Sequence, residues 1–424
     1  QRYDTYKDSG VQWLGEIPGH WECTSLGRVL YEKLQYGASE SGDSEYTNDS
    51  MRYIRITDIT LDGKLKKDCC KYLSSEIGKN YPVRKGDVLL ARSGATVGKA
   101  FIYNEDNEAC YAGYLIKASI QQDKVFPTFF FYFTQTSQYD EWKNRIFIQA
   151  TIQNISAEKY TRMKLCIPPL SEQRSIVSFL DAKCGKIDEW VTKKQKEVEH
   201  LQELKQRVIA DAVTRGLNPH VKMKATNIPW LKEIPEHWEM SKISSHFRQR
   251  NEKVSDKDYP ALSVSKQGVT PQLDNVALSN AEGTSRKLVT VGDYAVNSRS
   301  DRKGSCGVSK YEGSVSLITI VLEPFNINGE YVHYLFRSNP WVEEFYRNGR
   351  GIVADLWTTN YQMMKSMYMP VPPLSEQEQI VSYLDAKCSK IDKLIANITK
   401  EIECIKEYKQ RLISDVVTGQ IKVC

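Results

Sequence analysis

Two short stretches hold the side chains best suited to engaging a ligand, "ARSGATVGK" at 91–99 and "NSRSDRKGS" at 297–305. The first offers Arg92, Ser93, Thr96 and Lys99, the second Asn297, Arg299, Arg302 and Lys303. An Arg fork matches the acceptor edge of guanine, an Asn amide matches adenine, and Ser or Thr hydroxyls serve either. Glycines among them let the backbone approach a phosphate. These eight residues are candidate contacts to double-stranded DNA, and the plain alternative is a pair of solvated turns. "GATVGK" is not a phosphate loop, because three residues instead of four separate its glycines and Ala100 follows the lysine.

Other chemistries find less support. Secondary polar clusters occur at Arg52 and Arg55, Gln149 to Asn154, Arg248 to Lys253, and Arg347 to Arg350. Asn339-Pro340-Trp341 lacks the second proline of an Asn-Pro-Pro-aromatic methyltransferase site and falls in a helical pattern. No paired carboxylates with a neighbouring lysine point to a nuclease. The ten cysteines are scattered without a Cys-x-x-Cys, which reads as buried thiols in a reducing cytoplasm. No cofactor and no metal are expected. No apolar run approaches a membrane span and no signal peptide is visible, so a cytoplasmic protein is expected. A net charge of +5 permits nucleic-acid binding without demanding it.

The two stretches need positioning, and the chain supplies it twice. "PPLSEQ" occurs at Pro168–Gln173 and at Pro372–Gln377. Extended to Pro168–Asp188 and Pro372–Asp392, 17 of 21 positions are identical at an offset of 204. "WLGEIPGHWE" from Trp13 returns as "WLKEIPEHWE" from Trp230, at an offset of 217. The chain is a tandem duplication whose second copy is 13 residues shorter between these landmarks. Between them lie stretches rich in Tyr, Thr, Val, Ser and Gly that favour short strands. Gly86-Asp87 and Gly292-Asp293 open matching hairpins that present the two candidate turns. A short amphipathic helix is expected in each copy, near 128–145 and 330–348.

After each "PPLSEQ" the texture becomes helical. Apolar residues recur at steps of four and three: Leu180, Cys184, Ile187, Val191, Val198, Leu201, Val208 and Ala212, then Leu384, Cys388, Ile391, Ile395, Ile398, Ile402, Ile405, Leu412 and Val416. This is a heptad seam, expected to pair the two helices antiparallel. Lys205 and Lys409 interrupt it at the same register. Pro-Pro ends the preceding strand, Ser171 and Ser375 are expected as N-caps, and Ser375-x-x-Glu378 has the capping-box pattern.

Two diverged segments, each led by "WLxEIPxHW" and followed by "PPLSEQxxIVxxLDAK" with a long helix, resemble the specificity subunit of type I restriction-modification systems. The resemblance implies an α+β fold in which two similar target-recognition domains are separated by two helices in an antiparallel coiled coil. It implies a non-catalytic subunit that reads a bipartite DNA site, one half per domain, with the helices setting the spacing. Its implied partners are two methyltransferase subunits and, through them, restriction and translocase subunits. The expected segments are 1–22, a leading segment; 23–167, the first recognition domain; 168–216, a spacer helix; 217–238, a linker with the repeated motif; 239–371, the second recognition domain; and 372–424, a second spacer helix. A protein-binding scaffold without DNA readout is the rival.

Overall fold

In a computed structural model, the structure describes all residues except 61–64, 67, 69, 95, 149–152, 273–285, 351–356 and 424. The chain forms two compact units, Gln1–Lys194 with Lys400–Cys424, and Gln195–Thr399. The fold is α+β, as expected. Two long helices, Leu170–Arg215 and Leu374–Val417, each contribute one part to each unit.

The two units repeat one plan. In the first, Glu22–Ser25 pairs antiparallel with Lys164–Ile167, and in the second Glu239–Lys242 pairs with Tyr368–Val371. A four-stranded sheet follows with the same order in both. Its strands are Gln35–Tyr36, Leu115–Ala118, Val88–Ala91 and Ala100–Ile102 in the first, and Phe247–Arg250, Thr319–Pro324, Tyr294–Asn297 and Cys306–Val308 in the second. The first unit adds a second four-stranded sheet containing a parallel pair, Ser50–Ile54 with Ala109–Tyr111. The second unit has instead a three-stranded sheet and a separate hairpin there. One amphipathic helix was expected per copy, and two are found: Pro127–Phe133 with Ser137–Ile148, and Gly329–Arg337 with Asn339–Arg347. Each pair breaks at a short polar step, and Ser338 with Pro340 starts the later helix of the second unit at once.

Each core is closed by both long helices. Ile176, Leu180 and Cys184 join Leu412, Ile413 and Val416 beneath Trp21, Phe129 and Phe130 in the first unit. Ile380, Leu384 and Cys388 join Ile209, Ala212 and Val213 beneath Trp238, Leu335 and Phe336 in the second. The lysines that interrupt the seam are ion-paired. Lys409 Nζ lies 2.6 and 2.8 Å from the Asp188 carboxylate oxygens, and Lys205 Nζ lies 2.7 Å from both of those of Asp392. The residue numbers of each pair add to 597, the constant sum of an antiparallel register.

The two duplicated motifs meet in space. The carbonyl of Pro169 accepts from Gln173 N, and that of Pro373 from Gln377 N, so the prolines are the N-caps. The expected caps Ser171 and Ser375 therefore stand two residues too late, and the Ser375–Glu378 capping box is not in register. Glu172 and Glu376 occupy the N3 position, where a glutamate ordinarily reaches back to the N-cap N–H. Proline has none. The carboxylates turn instead to the other motif. Trp21 Nε1 donates to Glu172 at 3.0 Å with His20 Nε2 at 2.8 Å, and Trp238 Nε1 donates to Glu376 at 3.0 Å with His237 Nε2 at 2.7 Å. Gln173 and Gln377, both buried, tie the prolines to the starts of the helices Pro127–Phe133 and Gly329–Arg337. Their amides donate to Pro168 O and Pro372 O, and their carbonyls accept from Phe126 N and Asn328 N.

The reading of all cysteines as free thiols is corrected for one pair. Cys23 and Cys166 face each other directly across the antiparallel strands and form a disulfide, with their Cα atoms 4.3 Å apart. The corresponding cross-strand partners in the second unit are Met240 and Pro370.

Candidate nucleic-acid interface

Both candidate turns are hairpin connections between an inner strand and the edge strand of the four-stranded sheets, and each is entered through the same device. Asp87 N donates to Arg84 O while Arg84 N donates to Asp87 Oδ2 at 2.8 Å; Asp293 and Thr290 repeat both bonds. Gly86 and Gly292 adopt φ of 92° and 93°, a region open chiefly to glycine.

Buried tyrosines from the helices hold the turns from beneath. Tyr139 OH donates to Gly98 O at 2.8 Å and Tyr160 OH to Ala91 O at 3.2 Å, so both sides of the first turn are pinned. Tyr346 OH reaches Asn297 O at 2.9 Å and Arg302 O at 3.2 Å, pinning the second turn alike. Burial pushes all three phenols up, which keeps them protonated donors. Gly98 adopts φ of 80°, a region open chiefly to glycine, and a Cβ there would also displace the Lys143 stem of the helix Ser137–Ile148.

A second segment lies beside each turn. Ser93 bridges antiparallel to Asn154, and Ile155 N donates to Arg92 O at 2.9 Å. Arg299 bridges antiparallel to Thr358, with Ser300 N donating to Trp357 O and Thr359 N to Ser298 O. The candidate surface in each unit is thus composite: a hairpin turn joined to the strand-like approach to the short helix Ala157–Arg162 or Tyr361–Met364.

The eight expected residues divide by charge environment. Arg92 lies half-buried with its guanidinium 4.7 Å from the centre of the Tyr36 ring, and its Nε is buried without a hydrogen-bond partner. Ser93 and Thr96 are half-buried, and Lys99 is exposed. In the second unit the cations are all engaged. Arg299 Nε meets Asp301 at 3.0 Å, Arg302 lies 3.9 Å from the same carboxylate, and Lys303 binds Glu343 at 3.0 Å. Asn297 Oδ1 accepts from Arg299 N. These pairs are 39 to 69% exposed, so a phosphate or base can exchange for the carboxylate at little cost.

The secondary clusters are mostly architectural. Arg55 grips Asp58 through Nη2 at 2.7 Å and Nε at 3.2 Å, Arg52 bonds Lys66 O and Cys70, and Arg250 holds the buried Asp293. Arg347 pairs with Glu344, and Arg350 exchanges backbone bonds with Thr358. Of the 149–154 cluster, residues 149–152 lie outside the described residues, whereas Asn154 stands in the composite surface. Tyr36, Tyr114, Trp357 and Thr358 also belong there and were not singled out from the sequence. Tyr36 and Tyr114 come from strand ends distant in sequence, and no local spacing marks them. Asn339-Pro340-Trp341 is helical, with Trp341 buried and stacked on Phe336 at 4.4 Å. No described helix is long and apolar enough to cross a membrane.

Known proteins with this arrangement agree with one another. Residues 21–200 match the family described as the type I restriction modification DNA specificity domain. A Methanocaldococcus jannaschii chain provisionally named the MjaX specificity subunit of a type I restriction enzyme is 25% identical, over 97% of this chain and 96% of its own length. The Escherichia coli type I restriction enzyme EcoBI specificity subunit is 23% identical, over 98% of this chain and 89% of its own. A solved chain from a type I R-M system superposes with a TM-score of 0.71 at 16% identity, covering 96% of this chain and 99% of that one. The HsdS subunit from Thermoanaerobacter tengcongensis gives 0.50 at 16% identity, covering 96% and 98%. Over nearly its whole length, then, the chain is similar to one family, the specificity subunits of type I restriction-modification systems.

Proposed function

We propose that the chain is the non-catalytic specificity subunit of a type I restriction-modification complex, reading a bipartite DNA target and directing methyltransferase and restriction subunits to it. The observation that carries this reading is the repeated composite surface. Two units share a frame down to their hydrogen bonds, yet place different side chains on the same turn, as separate readout of two half-sites requires, since only base-edge contacts carry sequence information. The segments 23–167 and 239–371 act as the two recognition domains. Arg92, Ser93, Thr96 and Lys99 serve one half-site, and Asn297, Arg299, Arg302 and Lys303 the other.

The helices act as the ruler. At 1.5 Å per residue a 46-residue helix is about 70 Å long, ample to hold two readers about 34 to 36 Å apart, one turn of duplex. Two methyltransferase subunits match the two-fold repeat, and restriction subunits join through them. DNA as the substrate places the complex in the cytoplasm.

The decisive experiment is to assemble the chain with its methyltransferase subunits and map the methylated sequence. A split motif is expected. Exchanging residues 23–166 for the corresponding segment of another such subunit should change one half of it only. A continuous motif, or a change in both halves together, refutes modular reading.

A further inference from the structure

We infer that Arg92, held over the ring of Tyr36, reads a guanine in the half-site served by the first unit, and that Asn154 Oδ1 accepts from the exocyclic amino group of a neighbouring base. This rests on the DNA-reading role proposed above and goes beyond it by naming a base and the residues that select it.

Among the described residues, Arg92 meets no carboxylate, and it is half-buried where Lys99 of the same turn is exposed. Its guanidinium lies over the Tyr36 ring at 4.7 Å, and its Nε is buried with no hydrogen-bond partner. Tyr36 is itself anchored, because its hydroxyl accepts from Ala157 N at 3.0 Å at the start of the short helix. A guanidinium held over a fixed ring loses rotational freedom before any ligand arrives. Backbone bonds hold the residue at both ends: Arg92 N donates to Tyr114 O at 3.0 Å, and Arg92 O accepts from Ile155 N at 2.9 Å.

The second orphan lies on the adjoining segment. Asn154 pairs across from Ser93, and its Oδ1 is buried without a partner. Buried polar groups are ordinarily bonded, so a donor and an acceptor left unbonded on two neighbouring half-buried side chains favour a ligand that supplies the complements once those side chains turn toward it. The major-groove edge of a base pair supplies them: guanine offers O6 and N7 as acceptors, and cytosine N4 or adenine N6 offers a donor. A phosphate satisfies Arg92 but cannot donate to Asn154. The paired cations Arg299, Arg302 and Lys303 leave no comparable opening in the second unit.

The test uses the full chain assembled with its methyltransferase subunits and a DNA library selected for binding, with the methylated motif as a second readout. The wild-type motif should contain a guanine in the half that depends on residues 23–166. Arg92→Ala should reduce discrimination at that one position on the order of 10- to 100-fold and leave the other half unchanged. Arg92→Lys, which keeps the charge but not the planar fork, should relax the same position, and Tyr36→Leu should do so more weakly. Asn154→Ala should relax an adjacent position. If Arg92→Ala does not fold, Arg92→Lys decides. An unchanged motif in the Arg92 variants overturns the inference, as does equal weakening on all sequences, the mark of a phosphate contact. A wild-type complex that selects no split motif instead overturns the function proposed above.

Discussion

Lys409 places its ammonium 2.6 and 2.8 Å from the two carboxylate oxygens of Asp188, at a heptad position where the seam otherwise calls for an apolar side chain. A polar pair in an apolar seam helps fix which residues face each other, because sliding the helices by a heptad leaves both charges without partners. Asp188→Lys should therefore lower the melting temperature, and the swapped double variant Asp188→Lys with Lys409→Asp should recover most of it. With the pair partly exposed, a coupling of about 0.5 to 1 kcal/mol is expected from a double-mutant thermal-melting cycle. A coupling near zero would show that the apolar seam alone sets the register.

The glutamates at the helix starts should matter unequally. Glu172 accepts from Tyr3 OH at 2.5 Å in addition to Trp21 Nε1, whereas His220, which stands at the place of Tyr3 in the second repeat, makes no such contact. Glu172→Ala leaves a buried indole N–H unbonded and should cost about 1 to 3 kcal/mol. Glu376→Ala should cost less. Denaturant unfolding of the two variants checks the order, and an equal or reversed cost would mean that Tyr3 adds nothing.

In the second unit, Asp301 competes for the cations of the turn. Asp301→Asn removes the partner of Arg299 and Arg302, so affinity for DNA should rise several-fold and its salt dependence steepen. Affinity measured across a salt series tests this, and a fall in affinity would identify Asp301 as a support of the reading conformation.

Acid should weaken the second unit selectively. Burial and the neighbouring Arg337 push His333 down to about 4, so the folded state resists its protonation. The unfolded chain binds the proton below about pH 6.5, so stability is full above that value and falls as pH drops toward 4, by about 3 kcal/mol at the limit. The first unit has Phe131 at this place, judged from the equivalent bonds of Tyr132 to Asp181 and Tyr334 to Asp385. His333→Phe should flatten the acid limb of the melting curve between pH 6.5 and 4. An unaltered limb would assign it to carboxylates.

The ruler is tested by length. Four residues inserted after Lys196 add about 6 Å and keep most of the stripe in phase, while one base pair rises 3.4 Å. The methylated motif should keep both halves with a gap longer by one or two base pairs. Two residues inserted there rotate the stripe by about 200° and should damage folding. Retention of the original gap by the four-residue variant would remove the helices as the measure of distance.

Much of this fold was legible because the chain states it twice. The heptad stripe, the strand–turn–strand around Gly86 and Gly292, and the boundary at Pro-Pro are local patterns, and repetition separates them from chance. The cap position was misread by two residues, because a serine is the better cap by propensity, yet the tie of Glu172 to Trp21 rewards the earlier start. That tie joins residues about 150 apart and leaves no local mark. The composite surface was half legible for the same reason: Arg92 and Arg299 announce themselves among glycines, whereas Tyr36, Asn154 and Thr358 reach them only through sheet pairing and a distant loop. The Cys23–Cys166 disulfide depends on a strand register that no spacing reveals.

Asp188 and Lys205 sit on one helix, Asp392 and Lys409 on the other, and each aspartate bonds the lysine of the opposite helix. Either helix alone therefore carries both halves of the joint, and two identical copies laid head to tail would satisfy it as well as the present pair does. The descent of the molecule is written in that symmetry. The repeated halves keep the joint the same on both helices, while the segments between the duplicated motifs have drifted apart.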